Sequence, residues 1–122
     1  MARMDRAAKP DGPVVQGFES GGFAVDGRVY RALLLTPESA REWEKPALAE
    51  AGLELVLGFS PAPEFLLLGT GPSHAVPPRA LVRAIEARGI GVEAMDSRAA
   101  ARAWGLLRGE QRWIVAALMP LG

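Results

Sequence analysis

The run Phe65-Leu66-Leu67-Leu68-Gly69-Thr70-Gly71 decides the fold. Its four consecutive apolar residues lie between Pro63 and Gly69. Such a run is too short for a helix and lacks the polar alternation of a half-exposed strand, so it reads as a strand covered on both faces. A strand of that kind lies mid-sheet and requires a layer above and a layer below.

Downstream, Pro78 to Arg88 has helical spacing, with Leu81, Val82 and Ile85 inward and Arg79, Arg83 and Glu86 outward. Gly89 is suited to the left-handed residue that ends it. Ile90 to Met95 reads as the next strand. Asp96 or Ser97 then caps a helix with Ala100, Ala103, Trp104 and Leu107 on one stripe, expected to stop at Gly109. Arg112 to Met119 is a second nearly apolar strand. Strand, helix, strand, helix, strand with short connections predicts right-handed crossovers and parallel strands at 65–68, 91–95 and 112–119.

Upstream, Val14 to Glu19, Phe23 to Val25 and Arg28 to Leu35 read as extended, joined by turns at Ser20-Gly21-Gly22 and Asp26-Gly27; the second is a strong hairpin signal. Thr36-Pro37-Glu38-Ser39 has the chemistry of a helix start and predicts a helix to Glu44, ended by Pro46. Leu53 to Phe59 alternates as a strand does, with a short helix over 47–57 as the alternative. These elements predict one α/β domain over 14–122: a three-layer arrangement with a central mixed sheet, helices packed on it and an N-terminal β-meander layer. Residues 1–13 read as a disordered tail.

Composition narrows the function. A chain of 122 residues, 49% hydrophobic and 23% charged, has the make-up of one soluble globular domain. Its 14 basic and 14 acidic residues cancel, which removes the field a nucleic-acid binder uses. With no cysteine and one histidine, thiolate nucleophiles, iron–sulfur clusters and ordinary zinc sites lack ligands. No metal and no cofactor is expected. The longest apolar stretch, Trp113 to Met119, is far short of a bilayer span, and no apolar run follows Arg3, Arg6 and Lys9, so a cytoplasmic protein is expected.

The hydrophobic-Gly69-Thr70-Gly71 run, the strand end Val92-Glu93-Ala94-Met95-Asp96 and the closing Glu110-Gln111-Arg112 before an alanine-containing strand resemble, in order and spacing, a family of small domains. That family includes the mitochondrial respiratory complex I assembly factor 3. Gly27 to Tyr30, Leu33-Leu34-Leu35-Thr36-Pro37 and Trp43 agree as well, so the likeness covers about 14–119. The resemblance implies three layers around a mixed sheet and a role through partners in the biogenesis of a respiratory or other membrane complex. The chain departs from most bacterial relatives where they place threonine, cysteine, threonine, tyrosine and asparagine, at Ser97, Ala101, Ala103, Trp104 and Gly105, so that helix has lost polar groups.

In open α/β sheets ligands collect at the carboxyl ends of parallel strands, which puts Gly69, Thr70 and Gly71 beside Asp96 and Ser97. Backbone N–H groups, the Thr70 and Ser97 hydroxyls and the Asp96 carboxylate could hold a small molecule or a partner's peptide there. The plainer reading is a tight turn and a helix cap. A phosphate cradle is disfavoured, because Pro72, Pro77 and Pro78 remove donors and the pattern is G-x-G-x-x-H. Ser73 and His74 are adjacent and have no orienting third group, so no catalytic triad is formed. Glu93 points away from Val92 and Ala94; it reads as an ion-pair partner of Arg112, or alternatively as a buried acid/base carboxylate. Trp43 and Trp113 are candidate apolar anchors for a partner, whereas Trp104 reads as core. The reading is a non-catalytic binding or assembly-support module. Its alternative is a small-molecule-binding protein or enzyme in the same cleft, with Glu93 or Asp96 as acid/base and Thr70 as donor.

Overall fold

In the computed structural model, which describes residues 11–122, the elements run β1 (Gly17–Glu19), β2 (Gly22–Val25), β3 (Arg28–Tyr30), β4 (Leu33–Leu35), β5 (Ala40–Glu42), α1 (Glu54–Leu57), β6 (Phe65–Gly69), α2 (Arg79–Glu86), β7 (Gly91–Met95), α3 (Ser97–Gly109) and β8 (Val115–Leu118). The larger sheet has the order β5-β4-β8-β6-β7. Strand β6 pairs parallel with both β7 and β8, while β4 pairs antiparallel with β8 and β5. The apolar run therefore lies inside a mixed sheet, as its lack of polar alternation requires.

Because side chains alternate across a strand, the sheet feeds two cores. Leu33, Leu35, Leu67, Ala116 and Leu118 face one layer, made of Phe23, Val25 and Tyr30 from the smaller sheet and Ala100, Ala101 and Trp104 from α3. Leu34, Leu66, Leu68, Val115 and Ala117 face the other, made of Val56 and Leu57 from α1, Leu81 and Ile85 from α2, and Trp43. The three-layer α/β reading holds, with α3 sharing its face with the meander.

That meander is the antiparallel sheet β1-β2-β3. The β2–β3 hairpin turns on Asp26 and Gly27, at φ 49° and 80°. Both residues are left-handed, as a twist-matched two-residue hairpin needs, and Gly27 adopts this at no steric cost. Of the segment read as a tail, residues 1–10 lie outside the described residues. Pro13 is buried, and its carbonyl accepts the Trp104 indole N–H at 2.8 Å.

Several local expectations are corrected. The extended run from Arg28 breaks at Arg31-Ala32, so β3 and β4 belong to different sheets. The helix expected after Thr36 is a hairpin instead. The Thr36 hydroxyl accepts the N–H groups of Glu38 and Ser39 at 3.1 and 2.9 Å, as a helix cap would, but the chain folds back and β5 covers the edge of β4. Caps and tight turns share this local bond, and the open strand edge decided between them. The strand expected over Leu53 to Phe59 is the short helix α1, with Leu53, Val56 and Leu57 buried on one side. Helix α3 runs through Gly109, and the left-handed residue behind it is Gln111, at φ 62°. Among the described residues no helix is long and apolar enough to cross a membrane.

Truncating the β6 side chain that faces the meander core leaves a cavity that neither rigid layer can close. Leu67→Ala is expected to cost about 3 kcal/mol in urea unfolding, within the usual range for a buried leucine.

Candidate functional site

The two loops singled out in the sequence meet at the carboxyl ends of β6 and β7. Gly69 pairs with Met95, the Thr70 N–H donates to the Met95 carbonyl at 2.8 Å, and the Ser97 N–H donates to the Gly71 carbonyl at 2.8 Å. The Ser97 hydroxyl is buried and accepts the Gly71 N–H at 2.9 Å. Asp96 caps α3, its carboxylate accepting the Ala99 N–H at 2.9 Å. Helix α3 thus begins where the strand ends are already tied together.

Gly69 makes this closure sterically feasible. A Cβ there would fall 2.7 Å from the Ser97 hydroxyl and 2.9 Å from both the Ser97 Cα and the Leu118 side chain. Thr70 anchors the segment that follows: its hydroxyl donates to the Ser73 carbonyl at 2.9 Å and accepts the Ala75 N–H at 3.0 Å. Residues 72–76 are exposed, and Val76, 83% exposed, is the most exposed large apolar residue described. Gly69, Thr70, Gly71, Asp96 and Ser97 therefore form a hydrogen-bonded platform that holds a projecting loop. The Thr70 and Gly71 N–H groups and the Ser97 hydroxyl, donors and acceptor proposed for a ligand, bond to protein instead.

Glu93 and Arg112 do not pair. Glu93 is exposed on β7, an edge strand, because burial on that strand falls to Val92 and Ala94. Arg112 lies before β8, at the amino ends of the parallel strands, about 15 Å of strand away from the Gly69 platform. Its partner is Glu64. One Glu64 oxygen accepts from Arg112 Nη2 at 2.7 Å and Nε at 3.0 Å, and the other accepts the Trp113 N–H at 3.1 Å. The register that sets Leu66 against Val115 brings Glu64 there, a signal present in the two apolar runs once their pairing is known. Arg112 and the Trp113 N–H together hold the Glu64 carboxyl below the ordinary glutamate range, and Glu64 in turn raises Arg112.

The aromatic anchors divide. Trp43 is 2% exposed and belongs to the core, which removes it as a surface anchor. Trp113 is half-buried, tilted on Phe59 at 5.4 Å, and donates its indole N–H to the Pro61 carbonyl at 2.8 Å. Trp104 is fully buried, as its helical stripe predicts. Ala101 is buried, and Ala103 and Gly105 are half-buried beside it, so the helix segment that departs from the relatives faces mostly inward.

Comparison with known proteins extends the reading. The family model described as Protein of unknown function (DUF498/DUF598) matches residues 15–119. An uncharacterized protein of Rhodobacter capsulatus is 32% identical over 108 residues, covering 88% of this chain and 84% of that one. Bos taurus NADH dehydrogenase (ubiquinone) 1 alpha subcomplex assembly factor 3 is 32% identical over 111 residues, 87% of this chain, and the chain spans 60% of that protein's length. The crystal structure of a Bordetella parapertussis protein matches with a TM-score of 0.79 at 32% identity, covering 93% of this chain and 97% of that one.

Two results follow from this geometry. Gly69→Ala is expected to lower stability by about 1–3 kcal/mol, since backbone and a buried leucine must move. Gly105→Ala, with open space around the new methyl in a helix interior, should raise it by about 0.5–1 kcal/mol; paired urea melts check both. The Glu64 carboxyl is depressed in the folded state, so its contribution is present above the unfolded pKa and is lost as pH falls through the folded value. A carbon-detected NMR titration should find its midpoint below that of an exposed glutamate, and Arg112→Met should move it upward.

Proposed function

The chain belongs to the DUF498/DUF598 family, and from that premise we propose that it is a non-catalytic binding module that supports the assembly of a respiratory or other membrane complex, acting in the cytoplasm. The name of the bovine relative supports the assembly role. The observation that carries the binding reading is that the polar groups at the carboxyl ends of β6 and β7 bond to one another and hold up an exposed loop. A reacting site needs donors aimed at a substrate, whereas a docking site needs a rigid support under an accessible contact. Gly69, Thr70, Gly71, Asp96 and Ser97 are that support, Val76 is its apolar contact, and Glu93 is an exposed charge on the flanking edge strand. Arg112 braces the other end of the sheet through Glu64. A small-molecule site in the same loops would have to break the bonds that build them.

Val76→Asp changes only an exposed side chain and should leave the melting temperature unchanged. Affinity capture from a detergent-solubilised membrane extract, read by mass spectrometry, should enrich subunits of a respiratory complex with the wild type. Recovery should fall by about tenfold with the variant, the loss typical of one interface anchor. Equal recovery by both proteins, or no subunit of a respiratory or other membrane complex with either, overturns the reading.

A further inference from the structure

A second feature begins one residue past the platform. Arg98 and Arg102 are exposed on successive turns of α3, and their guanidinium carbons lie 5.6 and 5.7 Å from the centre of the same Phe18 ring. That ring also packs edge to face with the fully buried Phe23 at 6.1 Å. Two cations are therefore stacked on one fixed aromatic surface. Among the described residues the ion pairs are Arg88–Glu50 and Arg112–Glu64, and neither Arg98 nor Arg102 lies within 4 Å of a carboxylate. Like charges four residues apart on a helix repel, and no carboxylate among the described residues offsets this pair.

The same place is concave. Val15, Gln16, Gly17, Phe18, Ala101 and Arg102 line a cleft of about 220 Å³ between β1 and α3. A cavity of about 150 Å³ accommodates a benzene ring, so this one has room for a single leucine or phenylalanine side chain. Ala101 leaves its floor open where a larger residue would fill it. Leu106, 72% exposed, continues the Arg98–Arg102 stripe by one more turn and extends the apolar part of the surface.

We infer that this cleft docks a partner protein segment in which carboxylates flank one apolar side chain. The apolar group enters between β1 and α3, and the carboxylates are taken by Arg98 and Arg102, whose planar forks match carboxylate geometry. Charge complementarity selects the partner's chemistry, and the shape selects its class. A membrane surface is gathered by clusters of roughly four to eight basic residues rather than by a pair beside a pit. A nucleic acid is gathered by a wider basic field, and this chain carries 14 basic and 14 acidic residues. The inference rests on the reading of the chain as a binding module, but not on the 72–77 loop or on a respiratory partner.

The test uses the purified full chain and a fluorescein-labelled decapeptide with Asp-Glu pairs on either side of a Leu-Phe centre, followed by anisotropy and by amide NMR shifts. The expected result is saturable binding that moves the amides of Phe18, Ala101 and Arg102. Affinity should fall by about tenfold for Arg98→Glu with Arg102→Glu, by less for the two lysine replacements, and by a similar tenfold when the peptide's acids become Asn and Gln. Both arginines are exposed, so these losses should come with cooperative unfolding and only the drop of a few degrees in melting temperature that two lost cation–π contacts bring. Absence of binding, equal binding of the neutral peptide, or shifts away from the cleft overturns the proposal. So does a preference for phosphatidylserine vesicles or oligothymidylate over the peptide. Peptide binding that persists while membrane-extract capture fails sinks only the respiratory role. The reverse pattern sinks only this cleft.

Discussion

The two-sided burial of β4, β6 and β8 governs the rest of the molecule. Leu33 to Leu35, Leu66 to Leu68 and Val115 to Leu118 are all buried, with odd and even positions assigned to different cores. A slip of one residue in any of these strands would exchange its two faces, and in β8 it would set Leu118 where an alanine now fits. Each layer is needed because the sheet has no wet face. The meander and α3 cover one side, and α1, α2 and Trp43 the other.

The register set by that burial also builds the end of the sheet where the loops meet. Pairing Phe65 with Gly91 brings Gly69 level with Met95, and the next residues then close through Thr70, Gly71 and Ser97. The absence of a side chain at Gly69 allows the start of α3 to sit against the strand end. At the opposite end, the pairing of Leu66 with Val115 sets Glu64 against Arg112 and Trp113, so both ends of the parallel strands are tied by polar groups. The ends differ in what they carry: the amino ends finish in an ion pair, and the carboxyl ends support an exposed loop.

The proposed binding role uses surfaces rather than an enclosed pocket. The projecting loop and the arginine-flanked cleft both border the start of α3, so one partner could engage them together and bind more tightly than through either alone. The curated bovine relative is longer than this chain, which spans 60% of it. The similarity itself extends over 87% of this chain, so it spans nearly the whole layered sheet.

Much of the fold was legible in the sequence, because a short apolar run between Pro63 and Gly69 has few solutions, and the helices at 79–86 and 97–109 carried period, cap and charge together. The meeting of Gly69–Gly71 with Asp96–Ser97 was legible for the same reason: strand, helix, strand with short links leaves both ends on one side. Other features were decided only in three dimensions. Thr36 bonds the same N–H groups in a turn as in a helix, so the free edge of β4 settled that β5 would form. Arg112 could not be assigned to Glu64 rather than Glu93 without the strand register, since Glu64 precedes β6 and Glu93 lies in the middle of β7, a difference of place and not of local chemistry. The stacking of Arg98 and Arg102 on Phe18 joins residues some 80 positions apart. Sequence alone determined the periodic burial, which depends on neighbours along the chain; tertiary structure decided the pairings, which depend on neighbours across it.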